Sequence, residues 1–191
     1  MKRIMLPLLL VVASLSAGIA HGAEVEGVKL DDKTRIDGAQ ELVLNGAGVR
    51  SKMFVKGYVG ALYLAQKKSA ADAVLADKGQ KRVALHILRD DVPADKMLSG
   101  LKEGLADNNS QAEMTALDAR IKDFGSMLSA VKVYNKGNVI AFDFLAASTR
   151  VSINGEAKGT IPGEDFSRAL LKVWLGEKPV DSSLKKGMLG G

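Results

Sequence analysis

The hydrophobic period of this chain switches from two residues to about 3.6 and back, and that order limits the folds open to it. Arg82 to Leu88, RVALHIL, alternates as a buried strand does. After Asp90, Asp91 and Pro93, residues Met97, Leu98, Leu101 and Leu105 recur at helical spacing, which predicts a helix to about Ala106, ahead of Asn108 and Asn109. Ser110-x-x-Glu113 reads as a capping box, and Leu117, Ile121, Phe124 and Leu128 make the apolar stripe of the helix it opens. The period then returns to two. Val131 and Val133 precede a turn at Asn135 to Asn138, Val139, Ala141 and Phe142 follow, and Thr149 to Ile153 runs into Asn154-Gly155, the strongest short hairpin signal. Gly163 to Leu175 closes with Phe166, Leu170, Val173 and Trp174 on one helical side and Gly176 as its cap, and Asp181 to Met188 supplies one last turn or two.

Toward the N-terminus, Glu41 to Leu64 is predicted as two strands separated by a kink at Gly46-Ala47-Gly48, with Met53, Val55, Tyr58, Leu62 and Leu64 forming the second. Ser69 to Asp77 is predicted as a short helix with Ser69 as N-cap and Asp72 at the capping-box position. Strands, helices, strands and a final helix define an α+β fold, with helices layered on one face of a large antiparallel sheet.

A chain of 191 residues, 47% hydrophobic and 26% charged, suits one domain burying roughly 70% of its unfolded surface. Lys2 and Arg3, an apolar run from Ile4 to Ala13, and small residues at Ala20, Gly22 and Ala23 read as a secretory signal peptide over residues 1–22, cut before Ala23. The expected address is the periplasm, with residues 23–191 as the working domain and no stable membrane insertion after cleavage. The chain has no Cys, which excludes disulfides, thiol nucleophiles and thiolate-held metals, and its 2 His leave no all-histidine metal site or Ser-His-Asp triad. No cofactor and no metal are expected. The basic pairs Lys67-Lys68, Lys81-Arg82 and Lys185-Lys186 lack the interleaved aromatics of a nucleic-acid platform and read as solvated surface.

Three segments together carry a resemblance. They are Asn45-Gly46-Ala47-Gly48-Val49-Arg50 with Phe54-Val55-Lys56 and Ala61-Leu62-Tyr63-Leu64; Val151 to Gly155 with Gly159-Thr160-Ile161; and Phe166 to Gly176. Over roughly residues 35 to 189 the chain resembles the chalcone isomerase family, and within it the exported bacterial chalcone isomerase-like proteins. The resemblance implies an open-faced β-sandwich with a ligand cleft between sheet and helices. It also implies one of two activities: intramolecular lyase chemistry closing a phenolic enone, or fatty-acid binding without chemistry.

In that family an arginine of the Gly-Val-Arg segment holds the anionic oxygen, and the segment maps onto Gly48-Val49-Arg50. A guanidinium stays charged in an apolar cleft and offers a planar fork to an anion. The family's next catalytic partners are not matched. The phenylalanine and threonine after Phe-Val-Lys fall on Gly57 and Tyr58, and its later tyrosine falls near Ala94. Arg50 and Tyr58 are therefore the candidate ligand-binding residues, and catalytic ones if the protein is active. Tyr58 is either that donor or a strand residue with a wet hydroxyl. Lys56 is expected to face solvent and His86 to sit in the core. Asp90, Asp91 and Asp95 are read as helix-terminus acids, Trp174 as core, and Arg89 and Arg168 as possible second cations, Arg168 in an ion pair. The preferred reading is binding of a small amphipathic anion such as a fatty acid.

Overall fold

The computed structural model describes residues 22–37 and 40–191. The predicted signal peptide lies outside them except for Gly22. In chain order the elements are β1 (Glu24–Val25), β2 (Val28–Lys29), β3 (Lys33–Arg35), β4 (Glu41–Lys52), β5 (Val55–Leu64), α1 (Ala71–Ala76), β6 (Lys81–Ile87), β7 (Val92–Pro93), α2 (Ala94–Asn108), α3 (Gln111–Leu128), β8 (Val133–Tyr134), β9 (Val139–Phe144), β10 (Ser148–Ile153), β11 (Glu156–Pro162), α4 (Glu164–Leu175) and α5 (Ser182–Met188).

One seven-stranded antiparallel sheet, in the order β11-β10-β9-β6-β5-β4-β3, carries the molecule. Strands β6 and β9 are neighbours, so the α2–α3 excursion between them is laid over one face of the sheet. That layer forms because the period-3.6 stripes named above meet the inward residues of the strands. Leu117, Phe124 and Leu128 of α3 and Phe166, Leu170 and Trp174 of α4 pack against Val83, Leu85, Ile140, Phe142 and Val151. The rings run in series across the core, with Phe124 5.7 Å from both Phe166 and Phe142, and Phe142 5.5 Å from Trp174. On the opposite face the segment before β4 covers one side, its Leu30 and Ile36 buried against Leu42, Leu44, Val59, Ala61 and Tyr63. The open-faced α+β architecture expected from the sequence is the one observed.

Several local expectations are corrected. Strand β4 is continuous through Gly46-Ala47-Gly48, and the break between strands falls at Met53-Phe54, whose backbones have positive φ. What the glycines mark is a bulge and a close approach. Pairing with β5 jumps from Leu44↔Tyr63 to Gly46↔Leu62, leaving Asn45 unpaired in the ladder. Its side-chain amide donates to the carbonyls of Met188 at 2.7 Å and Lys68 at 2.9 Å and accepts from Lys68 N–H at 2.7 Å. Helix α5 lies directly on the glycines: a Cβ at Gly46 would stand 2.2 Å from the Gly187 carbonyl oxygen, and one at Gly48 2.9 Å from Leu184 Cα.

The predicted cap on α1 is absent. That helix starts at Ala71 after Ala70, with no side-chain cap, and neither Ser69 nor Asp72 forms the box. The box at Ser110 and Glu113 is present in full. Of the basic pairs, Lys67 and Lys186 are exposed as expected, but the other members are not plain solvated surface. Lys81 is buried, its ammonium donating to the Asp77 and Gly79 carbonyls; Lys185 donates to the Gly176 carbonyl; and Arg82 makes a two-pronged bond to Asp143 at 2.6 and 3.0 Å. These three cations answer local carbonyls or carboxylates rather than water.

Candidate functional site

The bulge at Asn45 decides which way Arg50 points. Leu42 and Leu44 face the N-terminal segment, and unbroken alternation would send Arg50 to the same side. The extra residue reverses the parity, so Gly46, Gly48 and Arg50 share the helix face. There Arg50 stands directly opposite Tyr58 in register, and Tyr58 opposite Ile87.

Between this end of the β4–β5 pair and the first half of α2 lies a cavity of about 480 Å³. Its apolar wall includes Tyr58, Val92, Met97, Leu101 and Val180, and Arg50, Lys52, Arg89 and Lys96 supply positive charge at its rim, with Asp90 and Asp91 beside them. Size and lining fall in the ordinary range for a small-molecule site. Arg50 is half-buried, and its guanidinium crosses over Gly57, where an added Cβ would stand 3.7 Å from Nη1. Among the described residues its side chain makes no hydrogen bond and no ion pair. The contrast with Arg82, Arg120 and Arg150 is direct, since each of those is held by a carboxylate at 2.6 to 2.7 Å.

Tyr58 is buried, and its hydroxyl oxygen accepts from Trp174 Nε1–H at 3.1 Å. Burial pushes the phenol up to about 12, opposed by the indole donor and by the charge of Arg50. At neutral pH it is therefore a protonated donor on the cavity wall, and its O–H finds no acceptor among the described residues. The structure thus brings Arg50 and Tyr58 together. It places Trp174 in the core, as expected, but also makes it the residue that orients the Tyr58 hydroxyl.

The other candidates divide. Arg89 lines the same cavity, whereas Arg168 pairs with Glu164 at 3.3 Å on α4. Lys56 is exposed and pairs with Glu26 at 2.7 Å. Asp90 and Asp91 are not helix caps: Asp90 accepts from Lys136 N–H, the Asp91 backbone N–H donates to Asn135, and α2 begins after Pro93 with no side-chain cap. Asp95 does lie in the first turn of α2. His86 is half-buried on the opposite face, in a polar hollow with Arg82, Asp143 and Arg150, rather than in the helix-side core; burial holds its imidazole below the ordinary value, with Asp31 opposing. Sequence reasoning missed Lys52, Lys96, Gly100 and Val180. Pro93, Lys96, Met97, Gly100 and Leu101 do recur at the three-and-four spacing of one helix face, which was the available signal.

A long antiparallel sheet with helices over one face defines an open-faced β-sandwich, here with a cavity between the layers. The profile of the chalcone isomerase-like family matches residues 22–190, and the chain belongs to that family. A solved structure with the same fold, the Arabidopsis thaliana fatty-acid binding protein, superposes with a TM-score of 0.66 at 14% identity, covering 85% of this chain and 92% of that one. No curated protein matches this chain in sequence.

Proposed function

We propose that the protein binds a small amphipathic anion of the fatty-acid type, without chemistry, in the cavity between α2 and the β4–β5 pair. The carboxylate meets Arg50 and the Tyr58 hydroxyl, and the acyl chain lies against Met97, Leu101 and Val180. The observation that carries this reading is Arg50, a permanent cation on an apolar wall with no carboxylate partner among the described residues. The structural neighbour is a fatty-acid binding protein, which supports the reading. With the leader read from the sequence, the protein acts in the periplasm, which fractionation of expressing cells tests.

Each methylene taken from water contributes about 0.8 kcal/mol and a charge-assisted hydrogen bond about 1.5–3 kcal/mol, from which the entropy of association subtracts. Loss of the guanidinium therefore weakens binding by roughly ten- to a hundredfold. Organic extraction and mass spectrometry of the purified protein are expected to return one acyl chain per molecule, lost in Arg50→Ala.

The second reading is lyase-type ring closure of a phenolic enone, and the observation that favours it is the unaccepted Tyr58 O–H beside Arg50. Turnover of a chalcone, falling at least about a hundredfold in Arg50→Ala, would replace binding with catalysis as the function.

A further inference from the structure

The β4–β5 hairpin ends in an apolar tip. Among the described residues four large hydrophobic side chains are exposed, and three of them are consecutive: Met53 at 86%, Phe54 at 104% and Val55 at 43%. Scattered exposed hydrophobics are ordinary, but three at the apex of a hairpin form one protruding patch. Lys52 and Lys56 flank it and are exposed, and Arg89 and Lys96 stand at the adjoining cavity rim. Glu26 pairs with Lys56, and Asp90 and Asp91 lie at the same rim, so the patch keeps a positive excess.

The turn itself runs against local preference. Met53 and Phe54 have φ of +50° and +66°, a left-handed conformation that favours Asn and Gly. The same sheet contains a two-residue turn made the favoured way, Asn154-Gly155, with φ of +52° and +81°. Bulky apolar residues held in such a turn, with their side chains in solvent, serve no internal packing; strain at an exposed apex points outward, to something the apex meets.

We propose that this tip is a docking element for an anionic phospholipid bilayer, Phe54 and Met53 entering the acyl boundary while Lys52 and Lys56 meet the phosphates. Small apolar wedges with flanking cations hold a protein reversibly at such a surface. Met53, Val55 and Lys52 also line the cavity, so docking sets its rim against the lipid. The docking does not depend on what the cavity holds.

The chain has no cysteine, so Met53→Cys carries an environment-sensitive fluorophore at the tip alone, and Ala73→Cys carries it on exposed α1, at the other end of β5. The full chain is mixed with vesicles of phosphatidylcholine, alone or with phosphatidylglycerol, doped with nitroxide lipid. Quenching is expected at position 53 only and with anionic vesicles only. It is expected to need at least about tenfold more lipid after Phe54→Ser or after Lys52→Glu with Lys56→Glu. A signal sequence touching lipid would not create that difference between two labels.

Equal quenching at both positions, quenching without anionic lipid, or quenching undiminished by these substitutions overturns the proposal, as does a concentration-dependent dimer that Phe54→Ser abolishes. Phe54 is not part of the cavity wall, so a fluorescent fatty acid in vesicle-free solution is expected to bind Phe54→Ser as it binds the parent. Failure of that binding in both proteins, with tip quenching intact, removes the ligand reading and leaves the docking.

Discussion

Gly100 sits on α2 with its would-be Cβ in open space, no atom of another element lying within 4 Å, and it lines the cavity. Gly100→Leu therefore adds a side chain where nothing opposes it. An interior helix glycine costs about 1 kcal/mol against the best helix formers, so the change is expected to raise stability by about 0.5–1 kcal/mol, a rise in Tm of roughly 2 °C at this size. The four new carbons would occupy space in which the proposed acyl chain is placed and displace about as many of its methylenes. At about 0.8 kcal/mol each that is roughly 3 kcal/mol, or about a hundredfold in Kd. Thermal unfolding by circular dichroism and titration with a fluorescent fatty acid measure the two effects on one preparation. A protein at least as stable as the parent with binding lost is the expected result. Affinity unchanged within about threefold would refute the placement of the chain along α2, because no loss of folding would be available to explain it away.

Tyr58→Phe leaves the buried Trp174 indole N–H without its acceptor, which costs about 1–3 kcal/mol and lowers the urea midpoint by roughly 1 M. Emission of Trp174, the single tryptophan, follows that unfolding directly; a midpoint within about 0.2 M of the parent would mean that the bond contributes nothing. The chain has 3 Tyr, at positions 58, 63 and 134, and burial pushes each phenol up to about 12 from an ordinary value of 10. Because the folded values lie above the unfolded one, the stability linked to these groups is complete below pH 10 and is lost as pH rises from about 10 to about 12. Native protein at pH 10.5 is expected to show almost no tyrosinate absorbance, whereas protein in urea shows roughly three-quarters of the full signal; equal spectra would place the rings in water.

Most of the fold was legible because its stripes are regular. Leu117 to Leu128 and Phe166 to Trp174 each keep one period for the length of a helix, and Asn154-Gly155 names its own turn. The errors came where backbone geometry was set from a distance. The glycines at 46 and 48 read as a kink because a sequence does not reveal that a C-terminal helix, more than 130 residues later, needs bare backbone beneath it. The Met53-Phe54 turn was invisible because its residues contradict turn chemistry, and the parity of Arg50 depended on a bulge of a single residue. Arg50 and Tyr58 were named from the family resemblance. Their being opposite each other followed from pairing register, and the orienting role of Trp174 followed only from the packed core.

The charges around the cavity argue for an anionic ligand independently of any relative. Among the described residues the other half-buried guanidiniums are each answered: Arg82 has Asp143, Arg120 has Asp165, Arg150 has Asp37. Asp90 and Asp91 stand at the same rim as Arg50, yet neither takes its charge, and the Asp90 carboxylate is used instead to hold the Lys136 backbone. A cation partly removed from water and left without a counter-charge is a standing cost to folding, and a bound carboxylate offsets it at the moment of association. The same arrangement penalises a neutral ligand, which would bury the guanidinium without answering it. If the proposed binding holds, selectivity for the ionised acid over its alcohol or methyl ester is the expected outcome of an empty place in the ion-pair pattern, with the apolar wall beyond Tyr58 setting no fixed chain length; equal affinity for acid and ester in a titration would refute it.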